Sequence, residues 1–146
     1  MQNFGFCMLW YWVAYLIVTL IGIFHTIFNI CVLHMKSMKE SPGMGEGYEK
    51  TKPWHPLYNI IVFPIFAYLY LSGLESITLQ DAMMTSLVWG TITVIFDWFG
   101  WVVIKHPWSL TVREFYVDYQ PWISLIYVAI YVSPLIAYGV VKLMWE

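Results

Sequence analysis

The chain has 146 residues, of which 60% are hydrophobic, 20% aromatic and 11% charged, where an ordinary soluble domain carries roughly 25% charged residues. That balance excludes a soluble globular domain and predicts an all-α integral membrane protein. The formal net charge of −2 gives no basis for binding nucleic acid.

Four apolar runs can be drawn, about Leu9 to Leu33, Leu57 to Leu74, Met83 to Ile104 and Trp122 to Met144. Each is near the ~20 helical residues that cross ~30 Å of hydrocarbon. The runs and their short connections use up the sequence, which predicts one four-helix membrane domain, 1–146, with no soluble domain.

In the first run, no lysine or arginine precedes the apolar segment, that segment is too long for a signal peptide, and no small-residue cleavage site follows. The run is therefore expected to stay in the mature protein. Trp10, Tyr11, Trp12 and Tyr15 at its start read as an aromatic belt with Trp145 at the same boundary, and Trp54, Trp108 and Trp122 as the opposite belt. Gly22, His25 and Asn29 share one helical face. Cys7 and Cys31 are expected near opposite membrane faces, too far apart to bridge within one chain.

The first connection interleaves Lys36, Lys39, Lys50 and Lys52 with Glu40, Glu46 and Glu49 around "SPGMGEG", and reads as a solvated connector. The second run contains Pro64, which removes a backbone hydrogen bond and frees a carbonyl. No basic residue occurs in the connection that follows, "SGLESITLQD". In the third run Ser86, Gly90, Thr93, Asp97 and Gly100 recur at helical spacing, a stripe suited to close helix packing. Asp97 is then expected to face protein or a wet cavity, because a carboxylate facing lipid costs several kcal/mol.

Between the third and fourth runs, Thr111 and Glu114 have the spacing of a capping box and open a short stretch closed by Pro121. This is expected to be an interfacial helix, with Phe115 and Tyr119 entering the membrane surface and Arg113 and Asp118 in water. His55, His106, Arg113, Glu114 and Asp118 are interfacial candidates for contacting a polar ligand. In the fourth run Ser124, Tyr127, Tyr131, Pro134 and Tyr138 repeat at helical spacing. "KPWHPLY" and "KHPWSL" share residue types at two run boundaries, and ordinary interface composition explains them better than a duplication, since their order differs.

Six of the seven basic residues fall in the first and third connections. By the positive-inside rule these face the cytoplasm and both termini lie outside, in a bacterial-type cell membrane. Counted from the cytoplasmic run ends, His25, Asp97, Pro64, Tyr127 and Tyr131 share one layer roughly 10 Å inside the hydrocarbon edge. His25, Asn29, Thr93, Asp97, Tyr127 and Tyr131 are therefore the candidates for holding an ion, a proton or a ligand, with Asp97 expected near His25.

No metal or other cofactor is predicted. Of the histidines only His25 lies deep in a run, so paired haem ligands at one depth are lacking within one chain, and no tight histidine spacing marks a metal site. No phosphate-binding loop, nucleophile elbow or metalloprotease motif is present. The sequence thus favours a non-enzymatic transporter or channel protomer, or an accessory subunit of a larger membrane complex. Its expected partners are the bilayer and either copies of itself or a larger membrane protein. The alternative is a membrane-embedded enzyme acting on a lipid or quinone, with His25 and Asp97 as acid–base groups.

Overall fold

The computed structural model describes residues 3–38, 40 and 44–145. Lys39, residues 41–43 of the first connector and the Trp145 side chain, each read above from sequence, lie outside it. All regular structure among the described residues is helical: α1 (Phe4–Cys31), α2 (Glu46–Thr51), a 3-10 turn (Lys52–Trp54), α3 (His55–Ser72), α4 (Leu79–Asp97), π-helical turns at Trp98–Val103 and Glu114–Asp118, and α5 (Trp122–Trp145). Four segments are long and apolar enough to cross a membrane: Phe4–Cys31, Glu46–Ser72, Leu79–Val103 and Trp122–Met144.

The second segment starts well before the expected Leu57. Pro53 and Pro56 sit in the first positions of the 3-10 turn and of α3, where the missing N–H would have no helical partner in any case. The stretch that looked like loop is therefore able to coil. Asn29 holds it against α1, its Nδ2 donating to the Gly47 carbonyl at 3.0 Å and to Thr51 Oγ1 at 3.1 Å. Gly47 is where the two helices touch, since a Cβ there would stand 2.6 Å from Ile30. Met44, Thr51 and Lys52 are consequently buried, which corrects the reading of a wholly solvated connector. Lys52 stays paired, with Glu49 at 2.7 Å and the Asp118 carbonyl at 3.0 Å.

Thr78 and Asp81 form a reciprocal capping box that starts α4. Along α4, Ser86, Gly90, Thr93 and Asp97 are all buried, as the spacing predicts. Gly90 seats the Tyr131 ring of α5, where a Cβ would lie 2.3 Å from Cε1, and Ser86 Oγ donates to the Tyr131 carbonyl. Gly100 departs from the stripe, because the helix has changed to π geometry by that point and no atom approaches a Cβ position there within 4 Å.

Tyr11 and Tyr15 correct the aromatic-belt reading. Tyr11 packs with Phe63 of α3 and Trp89 of α4 at ring separations near 6 Å, and all three are fully buried. This aromatic layer fills the bundle between α1, α3 and α4. Phe115 and Tyr119 are likewise buried inside the protein instead of facing outward, while Arg113 and Asp118 stay exposed and 3.8 Å apart. The capping box itself forms as read, with Glu114 accepting from the Thr111 N–H at 2.7 Å and hydroxyl at 2.8 Å, and Thr111 accepting from the Glu114 N–H.

Candidate binding site

Three polar contacts tie α1 to α4, and each joins residues 82 apart in sequence: Trp89 Nε1 to Cys7 Sγ at 3.3 Å, Tyr11 to Thr93 at 2.9 Å and Tyr15 to Asp97 at 2.6 Å. A constant offset along two i, i+4 stripes means the helices run parallel with side chains meeting rung by rung. Thr93 donates its own hydroxyl to the Trp89 carbonyl at 2.8 Å, so Tyr11 is the donor on the second rung. On the third, Tyr15 donates to Asp97 Oδ1.

The next positions on the two stripes, Thr19 and Trp101, do not bond each other but face a cavity of about 240 Å³. Local geometry opens it. After Asp97 the chain adopts the wider π turn, of the kind that recurs at functional sites. Gly22 makes room on α1 for the His55 ring of the wall, and the hydroxyls of Thr19 and Thr26 bond carbonyls of their own helix at 2.7 and 2.9 Å. The wall is mostly hydrocarbon and aromatic ring, including Val18, Ile23, Ile126, Trp101 and Phe115. Ile27 and Trp108, 43% and 50% exposed, also line it, so the cavity opens beside α1 at the end of the bundle that carries the lysine-rich connector.

Asp97 is 7% exposed and lies at the inner end of this cavity, next to the last rung. Besides Tyr15, the Tyr127 hydroxyl is close enough to act on the carboxylate, and it has no other partner among the described residues. No lysine or arginine among the described residues lines the cavity.

The imidazole on the cavity wall is His55, not His25. Its Nδ1 bonds the Tyr119 hydroxyl, and its buried Nε2 has no partner in either tautomer. The ring lies over Gly22, where a Cβ would stand 2.9 Å from Nε2. Asn59 holds the start of α3 by donating to the His55 carbonyl at 2.8 Å. Burial holds the Tyr119 phenol well above its ordinary range, with Tyr48 adding to the effect, so it keeps its proton. His25 instead pairs with Tyr58 at 2.5 Å and packs against Trp54. The polar layer read from helix depth therefore separates into an Asp97–Tyr15 contact and a His25–Tyr58 contact.

Of the other candidates, Asn29 clamps α2, Thr93 belongs to the second rung and Tyr131 covers Gly90. Pro64 lies within an α3 that stays helical, and away from the cavity. His106 Nε2 donates to the Gly100 carbonyl at 3.0 Å and its Nδ1 accepts from Trp108 at 3.2 Å, which staples the third connector onto the π turn. The sequence reading placed Gly22 on the His25 face and Tyr15 in an aromatic belt, and it did not single out Trp101 or Tyr48. The signal was present in the Cys7, Tyr11, Tyr15, Thr19 series, which repeats every four residues beside Trp89, Thr93, Asp97, Trp101.

No protein-family model matches the chain, and the searches of curated proteins and of solved structures found no match.

Proposed function

We propose that this chain is a multipass membrane protein that binds a small amphiphile, as the binding protomer of a transporter or as a ligand-holding subunit of a membrane complex. The observation that carries the reading is the side-opening apolar cavity with one buried carboxylate at its inner end. Membrane sites of this kind bring an ionisable group to the pathway or ligand, and binding pockets combine apolar walls with few polar groups.

At about 240 Å³ the cavity is smaller than the ~300–1,000 Å³ of sites that enclose a drug-sized ligand. It suits a head and the first part of a chain, the remainder leaving past Ile27 into lipid. A pore through a single chain has less support, since Tyr11, Phe63 and Trp89 fill the bundle beyond Asp97. The enzyme reading built on His25 and Asp97 also loses support, because His25 is engaged by Tyr58 and does not line the cavity.

Native mass spectrometry of protein extracted in mild detergent tests the proposal. Wild type should retain one amphiphile per chain. Ile23→Trp, which fills the cavity from a partly exposed wall position, should lose it while keeping its melting temperature. A wild type that carries no amphiphile, and takes none up from added lipid extract, would overturn the reading.

A further inference from the structure

We infer that the amphiphile this cavity takes is a net cation, an ammonium-type head on an apolar chain, with Asp97 as its counter-ion. The inference rests on the binding proposal above and adds the ligand's charge. A carboxylate removed from water stays ionised without large cost only where a positive charge or several donors meet it. Among the described residues Tyr15 donates a hydrogen bond to Asp97, the Tyr127 hydroxyl stands beside it, and no lysine or arginine lines the cavity. No contact joins His55 to Asp97 among the described residues, since its Nδ1 bonds Tyr119 and its Nε2 lies against Gly22.

The surroundings of the carboxylate are suited to a cation in a second way. Tyr15, Tyr48, Trp101 and Tyr119 bring aromatic rings to the same cavity, and ring faces attract ammonium groups, most strongly where water is excluded. Lys52, 5.6 Å from the Tyr119 ring centre, already places a cation on one of these rings from outside the cavity. An anionic head would meet Asp97, and a zwitterionic phospholipid head would bring a phosphate, with no cation among the described residues of the wall to compensate either. A monocationic amphiphile leaves neither charge unpaired.

Three probes with the same ten-carbon chain separate these cases: decyltrimethylammonium, decylphosphocholine and decanol, titrated against the protein in nonionic detergent with melting temperature as readout. The ammonium probe should stabilise wild type saturably, with an apparent Kd at least tenfold below those of the other two. Asp97→Asn keeps an acceptor for Tyr15 and should weaken the ammonium probe tenfold or more while leaving decanol within twofold. Equal binding of decanol, or equal or tighter binding of decylphosphocholine, would overturn the cationic assignment while leaving the cavity as an amphiphile site. Unchanged ammonium binding in Asp97→Asn would do the same. Saturable binding by none of the probes would remove the binding proposal itself. If Asp97→Asn does not fold, the ranking of the three probes on wild type still decides the question.

Discussion

Tyr15 and Tyr11 make the same kind of contact one turn apart, yet their hydroxyls do different work. Tyr15 donates directly to the Asp97 carboxylate, whereas Tyr11 bonds Thr93, whose hydroxyl is also held by the Trp89 carbonyl. Removing a donor from a buried carboxylate leaves it unsatisfied, at a cost of about 1–3 kcal/mol or more. Tyr15→Phe should therefore lower the melting temperature in detergent clearly more than Tyr11→Phe; equal losses would mean that the ring packing, and not the carboxylate, sets the cost. At the rim, Glu40 accepts from the Ser37 N–H at 3.0 Å and hydroxyl at 2.8 Å, and these bonds hold its carboxyl below its ordinary range. A group whose folded pKa is depressed adds stability above its unfolded pKa and loses it as pH falls through the folded value. The turn carrying Ser37, a cavity-lining residue, should loosen below the ordinary glutamate pKa of about 4.3. Hydrogen exchange at the Ser37 amide, corrected for the intrinsic pH dependence of exchange, would read this; protection that does not fall with pH would dismiss it.

Gly90 and Gly100 look alike in sequence, each at a small-residue position of one stripe, and the fold separates them. A methyl at Gly90 meets the Tyr131 ring at 2.3 Å, while one at Gly100 meets no atom within 4 Å. Overpacking of this kind costs typically about 1–3 kcal/mol. Gly90→Ala should thus melt well below wild type and Gly100→Ala close to it, and a reversal of that order would mean that α4 packs on α5 through another face. The pair also marks what the sequence could disclose. Four membrane-length runs were legible because hydrocarbon demands long, nearly uncharged helices, and the buried stripe of α4 because its small and polar residues keep helical spacing. The partners of Asp97 were not, because the calculated heights assumed that α1 and α4 end at one level, whereas the 82-residue offset of their contacts carries α1 well past the end of α4. The rungs put Tyr15, not His25, level with Asp97, and His25 lies ten residues further along α1, about 15 Å at 1.5 Å per residue, where it meets Tyr58. The π turn after Asp97 and the early start at Glu46 add further shifts that 3.6-residue periodicity does not foresee.

At the scale of the molecule, the cavity's place at one end of the bundle gives orientation a functional meaning. Ser37 and Met38 from the lysine-rich connector and Pro107 and Trp108 from the third connector border it, so whichever side of the membrane holds these connectors also holds the mouth. The asymmetry of basic residues leads us to predict the cytoplasm for that side, and an amphiphile would then enter from the inner leaflet, where anionic lipid also concentrates cations. Single cysteines at Glu46 and at Ser76, both exposed and on opposite ends of the α2–α3 segment, report the two sides. They need a background with Cys31→Ser, since Cys31 is exposed while Cys7 is buried. In intact cells an impermeant maleimide should label Ser76→Cys and reach Glu46→Cys only after permeabilisation. Labelling of Glu46→Cys alone would invert the protein, place the mouth in the outer leaflet, and require any ligand of Asp97 to arrive from outside the cell.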